Sequence, residues 1–178
     1  ALAELQKAFR LFDPQKHRSH QLLYAVGIDP GVFMFCEFVR TLWLLGFPDQ
    51  ALARGQDAVT VAREISHPPS LGHALVFTAI YYQFRREAEK ALAGAEAAIA
   101  LAEEHGLPQI SAWAMPFRGW ARAQLGHVDE GLRDIRQGLA AHQSIGSKMA
   151  RPHYLALLAE TLAKNGQVQE GLDMVAEA

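Results

Sequence analysis

The feature that most constrains this chain is an internal repeat of forty residues. Gly46, Gly126 and Gly166 are separated by multiples of forty, and Arg86 occupies the corresponding position between the first two. Two further registers share this period, one of leucines and one of small residues: Leu52, Leu92, Leu132 and Leu172, and Ala58, Ala98, Gly138 and Ala178. Small residues that recur at fixed places in a long period predict helix pairs that cross closely and stack in a row.

Turn signals separate the helical stretches. Glycine tolerates the left-handed geometry that ends a helix, and proline is accepted in the first turn of the next one, as in Gly46-Phe47-Pro48. The spacing of these signals predicts ten helices, near 2–12, 16–27, 31–45, 48–66, 70–85, 87–105, 109–125, 128–145, 150–165 and 168–178. Because no stretch shows strand-like alternation, the predicted fold class is all-α, an α-solenoid of four to five antiparallel helix hairpins.

The period also predicts the organisation of the chain. Residues 1–30 are expected to form a partial repeat, and four repeats follow, at 31–69, 70–108, 109–149 and 150–178. The last repeat is shorter than the first by roughly two helical turns. Since the chain also begins at Ala1 without a methionine, we expect it to be a fragment of a longer protein.

Composition narrows the class of partner. Half of the 178 residues are apolar, and 17 basic against 19 acidic side chains give a net charge of −2. Without a basic excess to hold a phosphate backbone, nucleic-acid binding is not expected. The single cysteine, Cys36, cannot form an internal disulfide, and no leader is recognisable, which favours the cytoplasm. The densest apolar run, 74–82, is far shorter than the roughly 20 residues that a membrane span needs.

The order of bulky, small, glycine, alanine, alanine and proline positions resembles the tetratricopeptide repeat (TPR). It is carried in the first full repeat by Phe35, Val39, Gly46, Ala51, Ala58 and Pro68. The resemblance covers about residues 31–178, although its period is forty residues rather than the usual length of about 34. Arg86 also replaces the turn glycine, and Arg118 and Arg122 stand where the family places core residues. The resemblance implies a right-handed superhelix.

Three runs, at 42–52, 84–87 and 154–160, resemble the C-terminal helical-repeat regions of large bacterial signalling regulators. Those proteins carry an ATPase module, and many also a nucleotide-cyclase or DNA-binding domain. The resemblance therefore implies that this chain is a non-catalytic sensor or scaffold arm of such a regulator. No glycine-rich phosphate loop, nucleophile elbow or His-Glu-x-x-His motif occurs in the chain, which also indicates that it is not an enzyme.

The resemblance further implies that the first helix of each repeat lines a concave face, where a peptide or protein partner binds. The candidate groove residues are Phe33, Arg40, Trp43, His73, Ile80, Gln83, Trp113, Trp120, Gln124, His153 and Glu160. Tryptophan and arginine in such a set are typical of recognition surfaces. The sequence leaves open whether the tryptophans line the groove or fill the core between repeats.

Two other clusters have alternative interpretations. Arg118 and Arg122 lie four residues apart on one helix face, so they either form an anion site or pair with Asp129, Glu130 or Asp134. His17 and His20 also share a helix face, but no Cys, Asp or Glu nearby completes a set of ligands. We therefore predict no metal site and no cofactor.

Two alternatives to a peptide groove remain open. One is a small-molecule pocket inside the superhelix, lined by Tyr81, Tyr82, Phe84, Trp113 and Trp120. The other is self-association, because the last helix leaves an uncapped apolar end around Leu172 and Val175, and such ends tend to pair with a neighbour.

Overall fold

A computed structural model describes residues 2–11, 27–144, 146 and 150–178 of the protein. Its helices are α1 (Leu2–Leu11), α2 (Pro30–Leu44), α3 (Pro48–Glu64), α4 (Pro68–Phe84), α5 (Ala88–His105), α6 (Pro108–Gln124), α7 (Val128–Ser144), α8 (Arg151–Lys164) and α9 (Val168–Glu177). No strand occurs in these ranges. The predicted all-α class is confirmed, while the predicted helix near 16–27 lies outside the described residues except for Gly27.

Proline and glycine delimit the helices as the sequence indicates. Helices α2, α3, α4, α6 and α8 carry proline in their first turn. Gly46, Gly126 and Gly166 adopt φ values of 83°, 98° and 77°, and Arg86 adopts φ 63° at the same place in its repeat. The left-handed conformation costs a non-glycine residue roughly 1–2 kcal/mol. The side chain of Arg86 is therefore expected to offset this cost through contacts elsewhere.

Four helix hairpins follow α1 in the described part of the chain, and we refer to α2–α3, α4–α5, α6–α7 and α8–α9 as the first to fourth hairpin. The two helices of the third hairpin cross most closely at a pair of glycines. A Cβ atom on Gly119 would lie 2.5 Å from the carbonyl oxygen of Gly131, and one on Gly131 would lie 2.5 Å from that of Gly119. Ala51 and Ala91 are fully buried at corresponding places. The predicted close crossing through small residues is confirmed.

The hydrophobic core runs between the helices of each hairpin and from one hairpin to the next. Its largest cluster of buried side chains extends from α4 to α8 and contains Phe117, Trp120, Ile135 and Leu162. Smaller clusters join the first hairpin to α4, one of them around Val32 and Ala62. A core that continues from hairpin to hairpin is typical of a solenoid.

The contacts between hairpins show which helices lie on the inside of the curve. The first helices of successive hairpins touch, α2 with α4, α4 with α6, and α6 with α8. Among the described residues, the second helices α3, α5 and α7 make no comparable contacts with one another. A stack whose first helices are closer together than its second helices curves around the first ones, so α2, α4, α6 and α8 line the inner face.

Candidate functional site

One register of the repeat places a ring on the inner face of every hairpin. Phe33, His73, Trp113 and His153 stand forty residues apart, and we call them the aromatic row. The ring centroids of Phe33 and His73 lie 5.8 Å apart and nearly parallel, and those of His73 and Trp113 lie 5.7 Å apart, edge to face. Phe33 is 39% exposed. The structure therefore brings three predicted groove residues from three hairpins into one cluster.

His73 lies at the centre of this cluster and is buried. Phe77 of the same helix completes the ring of aromatic neighbours, with its centroid 4.8 Å from the imidazole. Neither ring nitrogen of His73 has a hydrogen-bond partner within the described part of the chain. Burial lowers the pKa of His73 to about 4, so the imidazole is neutral at physiological pH.

A second stack of rings joins the C-terminal ends of α2 and α4 to the first turn of α8. Phe84 is sandwiched between Trp43 and His153, with centroid distances of 5.6 Å and 5.5 Å. Nε2 of His153 lies 3.1 Å from Oε1 of Gln83, to which it donates a hydrogen bond. Burial also lowers the pKa of His153. The first, second and fourth hairpins meet through this stack.

Glu160 is the centre of a polar network on the same face. Its carboxylate accepts two hydrogen bonds from Arg86, at 2.8 and 2.6 Å, one from Gln124 at 2.7 Å, and one from Trp120 Nε1 at 3.3 Å. Lys164 extends the network by donating to Gln124 at 2.7 Å. Burial alone raises the pKa of Glu160, but the bonds and charge of Arg86 outweigh it and hold this pKa below its ordinary value.

This Glu160 network explains why arginine stands at the position of a turn glycine. Arg86 follows the second hairpin's first helix, yet its partner Glu160 belongs to the fourth hairpin. Its guanidinium also lies 5.3 Å from the ring centroid of Trp120 in the third hairpin. The inner face is consequently bridged from the second to the fourth hairpin. Five predicted groove residues make hydrogen bonds between hairpins: Gln83, Trp120, Gln124, His153 and Glu160.

The expectation that Trp120 contacts a partner requires correction. Its side chain is fully buried, and it packs in the core with Phe117, Leu158 and Leu162. For Trp120, the alternative that the tryptophans fill the core between repeats is the right one. Trp43 and Trp113 differ from it, because both remain half-buried on the inner face.

Arg118 and Arg122 are both held by carboxylates of the chain. Arg118 binds Asp134 through two hydrogen bonds of 2.8 Å, and Arg122 donates to the same carboxylate at 3.1 Å. Arg122 also lies 3.4 Å from Glu96 of the preceding hairpin. The ion-pair interpretation of these arginines is thus confirmed, and the two guanidinium groups do not form a free anion site.

The exposed part of the inner face is concentrated on α2. Phe33, Glu37, Arg40 and Leu44 follow one another at spacings of four, three and four residues, and we call them the α2 stripe. Leu44 is 75% exposed, and the Arg40 side chain, paired with Glu37, is 46% exposed. Leu44 is absent from the predicted groove residues, although the same helical spacing would have indicated it. Ile80, by contrast, packs against the core from α4.

The two alternatives to a peptide groove have structural counterparts. Tyr81 and Tyr82 line a cavity of about 310 Å³ between α3 and α4, whereas Phe84, Trp113 and Trp120 lie outside it. At the far end of the stack, Leu172 and Val175 are 57% and 59% exposed on α9.

Metal binding, membrane insertion and a reactive cysteine find little support among the described residues. No three potential ligand residues among His, Cys, Asp and Glu come together there to hold a metal ion. None of the helices in these ranges is both long and apolar enough to traverse a bilayer. Burial and the neighbouring Glu37 raise the pKa of the Cys36 thiol, which therefore stays protonated.

Comparison with known proteins identifies the fold. No protein-family model matches the chain. A crystal structure of TPR-like repeats from a putative kinesin light chain of Podosopora anserina superposes with a TM-score of 0.62 and 19% identity, covering 82% of this chain and 72% of that one. A second crystal structure, of a variant of the same protein, superposes equally well, with 18% identity. The fold is therefore that of a TPR-like helical repeat.

A relative is also found among bacterial proteins. An uncharacterised protein of Rhizobium meliloti (strain 1021) is 24% identical over 177 residues, which is 98% of this chain. The aligned region makes up only 17% of that protein. The chain thus corresponds to a small part of a much longer relative.

Proposed function

We propose that this chain is a non-catalytic interaction arm that binds a peptide or protein segment on the inner face of its first two hairpins. The observation that carries this proposal is the uneven exposure of that face. The Glu160 network bridges it from the second to the fourth hairpin, whereas the α2 stripe leaves Phe33, Arg40 and Leu44 exposed. A partner therefore finds accessible apolar and charged side chains beside α2.

The residues of this area suit protein recognition. Large aromatic side chains and arginine contribute most of the binding energy in many interfaces, especially where neighbouring contacts exclude water. Phe33 and Trp43 provide the aromatic part, and Arg40 provides a cation. The ion pair between Arg40 and Glu37 is exposed, and such pairs contribute only about 0–1 kcal/mol. Arg40 can therefore exchange Glu37 for a carboxylate of the partner at little cost.

We further propose that the arm belongs to a larger cytoplasmic regulator of a bacterial signalling pathway. The resemblance of three sequence runs to such regulators supports this context, as does the long Rhizobium meliloti relative. In that setting the repeats at 31–69, 70–108, 109–149 and 150–178 form one continuous arm, and the catalytic or DNA-binding parts lie elsewhere in the protein.

Self-association is a second candidate function, favoured by the apolar face of α9. Val168, Leu172 and Val175 lie on one side of this helix and are each more than half exposed. A second copy packed on this face would extend the stack of hairpins. Measurement of the mass in solution tests this idea. A monomer at high micromolar concentration would exclude it.

Selection of peptides from a random display library on the immobilised chain tests the main proposal. Peptides selected by the wild type should bind Arg40→Ala and Leu44→Ala at least tenfold more weakly, because each change removes one exposed anchor of the α2 stripe. Arg133→Ala is the matched control, since Arg133 is exposed on the second helix α7, and its binding should be unchanged. Equal affinity for all four proteins, or no enrichment of peptides, would refute the proposal.

A further inference from the structure

His73 is a buried polar side chain whose retention needs an explanation. Its ring is enclosed by Phe33, Phe77 and Trp113, and neither nitrogen has a partner among the described residues. A buried donor or acceptor left without a hydrogen bond costs free energy, and few native groups are left in this state. The imidazole is therefore unfavourable for the fold in this structure.

The internal repeat shows that packing alone does not require an imidazole here. At the same register the first hairpin carries Phe33 and the third carries Trp113, so apolar rings fit this position. The fourth hairpin carries His153, whose Nε2 bonds to Gln83. His73 differs from all three because its ring nitrogens are buried and make no hydrogen bond among the described residues. The imidazole also lies beside Phe33, at the edge of the exposed α2 stripe.

We propose that His73 is the hydrogen-bonding residue of a pocket for a tyrosine side chain of the bound segment. This inference rests on the proposed function and names the partner residue that the aromatic row accepts. A phenol ring takes the place of the Phe33 ring beside the imidazole, whose other aromatic neighbours are Phe77 and Trp113. Its hydroxyl group supplies the hydrogen bond that the imidazole lacks. Phenylalanine would make the same apolar contacts without that bond.

The charge of the cluster favours a neutral partner group. The three rings around His73 carry no charge, and the buried imidazole is neutral at physiological pH. A carboxylate or phosphate in this place would lose its hydration without gaining a cation. A phenol hydroxyl can both donate and accept a hydrogen bond, so it suits either tautomer of the imidazole.

Entry to the pocket requires only a side-chain movement. Phe33 lies in the first turn of α2 and is 39% exposed, and it covers one face of the imidazole. Exposed side chains change rotamer within nanoseconds, without any change of the backbone. Rotation of the Phe33 ring towards solvent therefore opens a place beside His73 for the ring of a partner.

Nuclear magnetic resonance of the chain labelled with 13C at histidine Cε1 tests the inference. N-acetyl-tyrosinamide should shift the His73 resonance and bind about three- to tenfold more tightly than N-acetyl-phenylalaninamide, the gain of one hydrogen bond. His73→Phe should lose this preference and bind the tyrosine amide no more tightly than the phenylalanine amide, because the hydroxyl group then has no partner. The Tm of His73→Phe should rise by about 3 °C, because an unsatisfied polar group is removed. Phe33→Ala should bind the tyrosine amide more tightly than the wild type does.

Each outcome bears on one of the two proposals. Equal affinity of the wild type for the two amides, or no binding of either, would overturn the role of His73, whatever the peptide selection shows. Selected peptides that lack tyrosine and bind His73→Phe as tightly as the wild type would overturn it as well, while the interaction surface on α2 would stand. Circular dichroism of both variants verifies that the helices are intact.

Discussion

Acidification should destabilise the protein through His73, and the structure gives the size of the effect. Burial lowers the pKa of this residue from 6.5 to about 4 in the folded chain. Between these values the unfolded chain binds a proton that the folded chain does not, so the free energy of unfolding falls as the pH falls from 6.5 to 4. A difference of this size corresponds to about 3 kcal/mol, since one pKa unit is worth about 1.4 kcal/mol.

Urea denaturation of the wild type and of His73→Phe at pH 7, 5.5 and 4 measures this contribution. His153 also has a lowered pKa, so some loss of stability on acidification is expected in both proteins. The difference between the two isolates His73, because phenylalanine keeps the packing and cannot bind a proton. His73→Phe should already be more stable at pH 7, and its advantage should grow by about 3 kcal/mol at pH 4.

Parallel pH profiles for the two proteins would refute this reasoning. Such a result would mean that the imidazole is solvated in the folded chain and that the aromatic cluster does not exclude water. An advantage of His73→Phe that shrinks on acidification would contradict the direction of the pKa shift itself.

Three further changes test the packing. Trp120→Ala should lower the free energy of unfolding by about 3–5 kcal/mol in urea denaturation, since the ring is fully buried; a loss below about 1 kcal/mol would contradict that placement. Gly131→Ala should lower the free energy of unfolding by about 1–3 kcal/mol in the same assay, because its Cβ would lie 2.5 Å from a backbone oxygen of Gly119. Gly126→Ala is the comparison: its Cβ would meet open space, but its φ is 98°, so it measures the cost of the backbone conformation without a steric clash. Arg86→Gly should be about 1 kcal/mol more stable than Arg86→Ala, because both lose the bonds to Glu160 but only glycine removes the left-handed strain; equal Tm values would show that the strain is negligible.

Most of the fold follows from the sequence through local rules. Backbone hydrogen bonding makes the helices, the glycines at 46, 126 and 166 end them, and small side chains let the helices of a hairpin approach. Each of these effects acts within one repeat. Its sequence signal therefore recurs every forty residues, which makes it easy to recognise. The hairpin arrangement and the register of Phe33, His73 and Trp113 are therefore predictable from the residues alone.

The roles of individual side chains on the inner face required the tertiary structure. Sequence spacing assigns Trp120 and Trp113 to the same face, yet one is fully buried and the other half-buried. Arg86 and Glu160 are 74 residues apart, and no local pattern relates them. They meet because small rotations at successive hairpin interfaces add up to a curvature that brings the second and fourth hairpins together. The sequence by itself thus determined the helices, their pairing and the register of the rings. The side chains that remain exposed to a partner were decided by the curvature of the stack, because curvature is the sum of the rotations at all the hairpin interfaces.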